Sequence, residues 1–212
     1  MLRLTACLML AILTIGYAVA EGEKAGKFDY YVMALSWSPS WCALEGDRKN
    51  SRQCEPRYDY GFILHGLWPQ YERGWPSFCP TAHRAPSRGM TAAMADIMGT
   101  AGLAWHQWDK HGRCTGLSAA QYYEVSRTAY ASVERPEILR RLMKPVTLPA
   151  TLIEEAFLKE NPSLTADMMT VSCKRGHFHE VKICLNKDLS PRACGDGVVR
   201  DCKQKVLFPP VR

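Results

Sequence analysis

The spacing of hydrophobic positions predicts strands in the first and last parts of the domain and helices between them. Residues 28–37 (FDYYVMALSW) are rich in the aromatic and β-branched side chains that favour a strand. Residues 61–65 (GFILH) predict a short buried strand that ends on a histidine, and the Pro-, Gly- and Arg-rich segment 69–89 predicts a loop. Residues 169–173 and 177–185 indicate two further strands, joined at the segment KRG.

The middle of the chain has the patterns of helices. Residues 91–98 and 103–111 have helical spacing. The segment SAAQ beginning at Ser118 is spaced as a capping box, which predicts a helix that ends near residue 132. Pro136 and Pro149 stand where first helical turns accept proline, so two more helices are expected there. Strands at both ends and helices between them predict a single α+β domain, an antiparallel β-sheet core flanked by helices.

The first twenty residues are organised as a secretory signal peptide. Arg3 precedes an uncharged run over residues 4–20, which ends in the small-x-small sequence AVA. An N-terminal membrane anchor is the alternative, but the run is short for a bilayer span and contains polar residues. We predict a signal peptide over residues 1–20, one domain over residues 21–212, and a secreted or periplasmic protein without stable membrane association.

The charge permits a polyanionic partner but does not require one. Lys and Arg number 27 and Asp and Glu number 21; removing Arg3 with the signal peptide leaves 26 minus 21, or +5. A mildly basic protein can bind a nucleic acid, although many secreted proteins carry such a charge.

The cysteine count indicates disulfides. Of nine cysteines, Cys7 would leave with the signal peptide, and an even number in a secreted chain predicts bridges formed in an oxidising compartment. Zinc–thiolate sites are the alternative, but the chain has no Cys-x-x-Cys pair. The remaining cysteines are Cys42, Cys54, Cys79, Cys114, Cys173, Cys184, Cys194 and Cys202.

The segment WHQWDKHGRC, residues 105–114, combines titratable groups with aromatic surface. At about 100° per residue, a helix over residues 103–111 places its basic and amide side chains on one side and its tryptophans on the other. We expect the tryptophans to anchor the helix in the core and the polar side to face a cleft. A solvated polar face remains an alternative. A metal site is disfavoured, because two histidines five residues apart do not share a helical ridge. The polar side consists of His106, Gln107, Lys110 and His111.

The segment FILHGLWP, residues 62–69, raises a second candidate. His65 closes a predicted buried strand, Gly66 would let the backbone turn or approach a ligand, and Trp68 and Pro69 stiffen the start of the loop. The alternative is a core histidine whose hydrogen bonds are satisfied within the fold.

Taken together, FILHGLWP and HQWDKHGRC resemble the two signature sequences of the T2 family of ribonucleases, in the same order. Residues 30–42 (YYVMALSWSPSWC) resemble the opening strand and first cysteine of that family. The resemblance implies a secreted endoribonuclease of α+β fold that needs neither a metal nor another cofactor. RNA would be its substrate, DNA would not be cleaved, and we expect a monomer.

The resemblance also implies roles for individual residues. RNA carries its own nucleophile, the 2′-hydroxyl, so an enzyme needs a base, an acid and cationic groups at the phosphate. The product would be a 2′,3′-cyclic phosphate, which is then hydrolysed to a 3′-phosphate. By position, His111 is the general base, His65 the general acid, His106 a phosphate ligand, Lys110 the transition-state cation, and Trp68 part of the base pocket.

The chain departs from the family pattern at two positions. The family usually has glutamate where Gln107 stands, which puts the role of that carboxylate and the pH dependence in doubt. Gln70 stands where some members use aspartate to read a base, so the base preference is open. The disulfides that the resemblance implies are Cys42–Cys54, Cys79–Cys114, Cys173–Cys202 and Cys184–Cys194.

Three functions remain in competition. The favoured one is an active endoribonuclease with candidate residues His65, His106, Gln107, Lys110 and His111. The second is a secreted RNA-binding protein on the same fold, catalytically impaired by the glutamine. The third is a disulfide-rich metallohydrolase or structural protein. His83, His177 and His179 match no signature. We expect His177 and His179 to be surface residues of a strand.

Overall fold

The structure, a computed structural model, describes residues 23–212, so the predicted signal peptide lies outside the described residues. In this part of the chain six strands form one sheet: Tyr30–Trp37 (β1), Phe62–Gln70 (β2), Val146–Pro149 (β3), Met169–Lys174 (β4), His177–Leu185 (β5) and Lys205–Phe208 (β6). Their order in the sheet is β2-β1-β5-β6-β3, with β4 paired to β5. The pairings are antiparallel except for the short parallel contact between β5 and β6.

The helices lie mostly between β2 and β4 along the chain, as the sequence predicts. They are Ser38–Trp41 (α1), Arg88–Ala93 (α2), Ala95–Met98 (α3), Ala101–Lys110 (α4), Ala119–Ala131 (α5), Glu137–Arg140 (α6) and Thr151–Glu160 (α7). The predicted capping box is present at the start of α5, where Ser118 and Gln121 bond reciprocally. The α+β fold built on a largely antiparallel sheet is confirmed.

Two predicted boundaries were wrong. Strand β2 does not end at His65 but continues to Gln70, because the backbone pairing with β1 extends along the whole signature segment. Pro149 ends β3 instead of opening a helix, and α7 begins two residues later, at Thr151. His65 therefore lies inside a strand and not at its end.

The two faces of the sheet differ in chemistry. One face packs into the main hydrophobic core through side chains such as Met33, Leu67 and Ile183, which are fully buried. The opposite face carries a small apolar cluster that includes Val32 and half-buried Trp68. This second face, together with α4, forms the walls of a cavity.

Helix α4 is attached firmly beside the sheet. Its first turn is capped by Thr100, whose hydroxyl accepts from the amide of Leu103 at 3.1 Å. Trp108 is buried, and the Tyr123 hydroxyl of α5 donates to the Ala104 carbonyl at 3.0 Å. The prediction that both tryptophans anchor this helix was wrong for Trp105, which is 47% exposed.

The four disulfides are those that the resemblance implies. Cys79–Cys114 joins the loop after β2 to the segment after α4, and the other three are Cys42–Cys54, Cys173–Cys202 and Cys184–Cys194. No helix among residues 23–212 is long and apolar enough to cross a membrane.

Candidate active site

A cavity of about 570 Å³ lies between α4 and the second face of the sheet. It brings together every candidate catalytic and substrate-binding residue from both signature segments. Further along, its wall includes Thr170, Lys182 and Arg200. The candidate residues that line it are His65, Trp68, Gln70, His106, Gln107, Lys110 and His111.

An irregularity in strand β2 aims His65 into this cavity. In the pairing with β1, Ala34 faces Gly66 and Leu35 faces Leu64, so His65 is an unpaired extra residue, a β-bulge. Leu64 and Leu67, three residues apart, therefore both lie in the main core. Without the bulge, residues at odd spacing would point to opposite faces. The bulge allows both His65 and Trp68 to face the cavity.

His65 is held by a buried carboxylate. Its Nδ1 forms a hydrogen bond with Oε1 of Glu180 on β5, and the Glu180 side chain is almost fully buried. Burial by itself raises the pKa of Glu180. The His65 hydrogen bond and the nearby charges of His65, His179 and Lys182 outweigh it and hold that pKa below its ordinary value. Because Nδ1 is occupied, Nε2 is the His65 nitrogen left to meet a substrate.

His111 is in a contrasting environment. It ends α4, with its amide donating to the Gln107 carbonyl at 3.0 Å, and only 6% of it is exposed. Its Nδ1 is buried without a hydrogen-bond partner in the described part of the chain. Burial, and then the charge of Lys110, lower the pKa of His111 to about 3. The imidazole is therefore neutral over the physiological range.

Trp68 joins the two histidines. Its ring lies 5.3 Å, centroid to centroid, from His111 in a stacked arrangement, and 5.3 Å from His65 edge-on. Its indole Nε1 donates to Oε1 of Gln107 at 2.7 Å. The contact with His111 covers part of the indole surface that the prediction left to an RNA base.

Gly66 makes this arrangement possible in a way that the sequence did not indicate. The residue has no left-handed backbone conformation and does not turn the chain. A Cβ atom there would lie 2.1 Å from Gln107 Oε1 and 2.3 Å from Trp68 Nε1. Glycine is needed at this position because the Trp68–Gln107 hydrogen bond passes directly over it.

His106 and Lys110 form the cationic side of the cavity. They are one helical turn apart on α4, with His106 exposed and Lys110 half-buried. Lys110 lies in the last turn, where a positive charge interacts favourably with the helix dipole. The predicted polar side of this helix is therefore found in the cavity, although Gln107 itself is buried.

The sequence did not predict that Glu180, Lys182 and two aromatic residues lie at or beside the cavity. Tyr71 and Trp75, in the loop after β2, line the cavity. Glu180 was overlooked because a second bulge, at His179, changes which side chains of β5 share a face. His179, expected at the surface, is half-buried, and its Nδ1 is 3.7 Å from Oε2 of Glu180. A charged residue inside an otherwise apolar strand, HFHEVKICL, was the available signal.

One group of possible metal ligands occurs among residues 23–212. It comprises Cys42, Asp47 and Cys54. The two cysteines are joined in a disulfide, so neither can offer a thiolate, and Asp47 pairs with Arg212 at 2.7 Å. This group lies apart from the cavity.

Two known ribonucleases have sequences similar to this chain. A ribonuclease from Aeromonas hydrophila is 43% identical over 117 residues, which are 55% of this chain and 51% of that protein, so the chain spans about half of this relative's length. Ribonuclease I of Escherichia coli (strain K12) is 30% identical over 211 residues, covering 79% of each chain.

A solved structure and a family match extend this comparison. The RNase-related protein from Calystegia sepium has the same fold, with a TM-score of 0.68, 22% identity, and coverage of 86% of this chain and 98% of its own. The pattern of the Ribonuclease T2 family matches residues 28–194, which include both signature segments and the cavity's histidines. The chain belongs to the ribonuclease T2 family.

Proposed function

We propose that this protein is an endoribonuclease that cleaves single-stranded RNA without a metal ion. The 2′-hydroxyl attacks the adjacent phosphate, a 2′,3′-cyclic phosphate forms, and hydrolysis then yields a 3′-phosphate. The observation that carries the proposal is a pair of histidines in one cavity with opposite environments, one buried and neutral and the other bound to a carboxylate. Two titratable groups whose surroundings favour different protonation states suit an acid and a base.

His111 is the proposed general base. A base must be unprotonated to act, and burial keeps the imidazole of His111 neutral well below neutral pH. Because its Nδ1 is enclosed, Nε2 is the atom that takes the proton from the 2′-hydroxyl. A bound phosphate would add negative charge nearby and favour the imidazolium once it forms.

His65 is the proposed general acid. Its Nε2–H bond breaks as the proton moves to the leaving 5′-oxygen, while Nδ1 stays bonded to Glu180. In the second step the neutral Nε2 accepts a proton from the attacking water, and the His111 imidazolium returns its proton to the 2′-oxygen as the bond between that oxygen and phosphorus breaks. His106 and Lys110, on the same wall of the cavity, stabilise the negative charge of the phosphorane.

Gln107 is proposed to contribute a neutral donor. Its Oε1 is occupied by Trp68, so its NH₂ group is the end left to meet a phosphate oxygen in the cavity. This differs from a glutamate, which could only accept a hydrogen bond when ionised. The catalytically impaired RNA-binding protein remains the second candidate, since Gln107 replaces a carboxylate that the family usually has.

Base binding is proposed at Trp68 and Gln70, with Trp75 as an additional stacking surface. Gln70 is buried, and its Nε2 donates to the Pro69 carbonyl at 3.1 Å, which leaves Oε1 free to accept from a base. Trp75 is 58% exposed on the cavity rim. Stacking on an aromatic ring contributes about 1–3 kcal/mol per base and tolerates any base.

The proposed location is outside the cytoplasm, in the periplasm or the medium. Four disulfides suit an oxidising compartment, and residues 1–20 have the organisation of a cleaved signal peptide. We propose that the mature domain, residues 21–212, acts as a monomer without stable membrane association.

One assay separates these functions. Purified protein is incubated with single-stranded RNA and with DNA of the same sequence, with and without EDTA, and early products are analysed for 2′,3′-cyclic phosphate ends by ³¹P NMR. RNA cleavage that persists in EDTA, with no DNA cleavage, supports the proposal. Loss of activity on chelation would support the metallohydrolase, and RNA binding without cleavage would support the impaired protein.

A further inference from the structure

We infer that Glu180 is a positioning residue for catalysis: its hydrogen bond to Nδ1 orients His65 for its role as an acid. The inference rests on the proposed function and extends it to a residue outside both signature segments. Its basis is the hydrogen bond between Glu180 Oε1 and His65 Nδ1, which joins β5 to β2 across the intervening strand β1.

The fold directs Glu180 to this place by a second β-bulge. In the pairing of β4 with β5, Ser172 faces Glu180 but Cys173 faces Phe178, so His179 is an unpaired extra residue. Phe178 and Val181, three residues apart, therefore both lie in the main core. A regular strand would put Glu180 on the same face as Phe178, inside that core. The bulge turns the carboxylate toward the cavity face instead.

The burial of Glu180 and its pairing with histidines indicate that this carboxylate serves function and not stability. The residue is 3% exposed, and within residues 23–212 its ion pairs are made with the histidines His65 and His179 alone. A buried charge is costly unless it is paired, and an imidazole is a weaker partner than a lysine or arginine because it must first be protonated. A fold that needed only stability would place an apolar residue here, as it does at neighbouring Val181.

The contact sets the tautomer of His65. A carboxylate at Nδ1 holds the proton on that nitrogen, which leaves Nε2 directed to the substrate. The same contact serves the hydrolysis step, in which Nε2 must act as an acceptor.

This arrangement bears on the glutamine at position 107. Among the described residues, no carboxylate contacts the ring of His111, which stacks on Trp68 and is adjacent to Lys110. A negative charge next to His111 would favour protonation of the base. The carboxylate of this site stands beside the acid instead: Glu180 contacts the ring of His65, whereas His111 is enclosed by its neighbours.

The test compares Glu180→Gln and Glu180→Asp with Glu154→Gln, a control that removes a half-buried carboxylate from α7, outside the cavity. For each protein, kcat and KM are measured against pH on one dinucleotide. In Glu180→Gln we expect kcat to fall at least about 10-fold, at every pH measured, with KM changed less than about twofold. Glu180→Asp should recover part of the rate, and Glu154→Gln should match the parent.

A double-mutant cycle with His65→Ala tests whether Glu180 acts through His65. If it does, Glu180→Gln has almost no further effect on the rate once His65 is absent. Equal losses with and without His65 would overturn the inference and leave a structural role.

NMR titration of the His65 ring provides a readout that does not need activity. The unmodified protein should show a protected, low-field Nδ1 proton, and Glu180→Gln should lose it. If the parent cleaved no RNA but showed this signal, the proposed function would fail while the His65–Glu180 pair stood. If the signal were absent from the parent, or unchanged in folded Glu180→Gln, the pairing itself would be wrong.

Discussion

The indole Nε1–H of Trp68 donates to Oε1 of Gln107 at 2.7 Å, and this bond joins the strand that carries His65 to the helix that ends at His111. The two signature segments are therefore connected by a direct hydrogen bond as well as by sharing a cavity. Gly66 lies beneath that bond, and the Trp68 ring touches both histidines. This bridge contributes to the relative position of the proposed acid and base.

Removing either proposed proton-transfer group should nearly abolish RNA cleavage. We expect His111→Ala and His65→Ala each to lower kcat by at least about 10²-fold, the usual contribution of a positioned acid or base. His83→Ala is the control, because His83 is exposed and its ring bonds to the Gly116 carbonyl at 3.2 Å, outside the cavity. Near-normal turnover by His111→Ala would remove His111 from the mechanism.

Gly66→Ala should damage the site more than the fold. The new methyl group would lie 2.1 Å from Gln107 Oε1, so the Trp68–Gln107 bond must break or shift. We expect kcat to fall by at least about 10-fold, since small displacements of catalytic groups are costly. Gly102→Ala on α4 is the control, because its nearest neighbour would be 4.0 Å away. Equal activity of both variants would show that the bridge is dispensable.

The acid limb of kcat/KM should lie far below the ordinary histidine pKa. His111 is neutral until the pH approaches about 3, so the base of the free enzyme stays competent in mild acid. Gln107→Glu should move this limb to higher pH, because a carboxylate there favours the His111 imidazolium across Trp68. It should also weaken substrate binding at low salt. A limb that stays in place or moves lower in the variant contradicts this coupling.

Burial of His111 should also make stability depend on pH. The folded protein binds a proton at His111 only near pH 3, whereas the unfolded chain does so near its ordinary value of 6.5. Between these values the unfolded state holds more protons, so the free energy of unfolding falls as the pH is lowered through this window. In urea titrations, His111→Leu should lose part of that slope. An unchanged slope would show that His111 is protonated in the folded state.

The oxidised protein should contain no free thiol. Mass spectrometry without reduction is expected to find a chain that begins near Glu21 and four bridges, since eight cysteines lie beyond the proposed cleavage site. An alkylatable cysteine among these eight, or an N-terminus at Met1, would contradict the framework or the cleavage respectively.

The sequence was sufficient for much of the fold because the relevant signals are local. Strand and helix periodicity located β1, β4, β5 and α4, and the capping box at Ser118 located α5. The resemblance supplied the disulfide pairs, which residue spacing could not have chosen. The sequence could not predict which strand residues share a face, because the alternation of side chains does not reveal an inserted residue. The length of β2 and the orientation of Glu180 were therefore not predicted. Burial of His111 and exposure of Trp105 likewise depend on neighbours from distant segments.

The two bulges shift, by one residue, the alternation of side chains between the two faces of the sheet. Each inserts one residue, at His65 and at His179, and every residue on one side of the insertion exchanges faces relative to a regular ladder. Deleting His179 alone would restore regular pairing with β4 yet bring either Phe178 or Glu180 onto the wrong face. A one-residue deletion in this sheet can therefore preserve the backbone ladder and still separate the acid from its carboxylate.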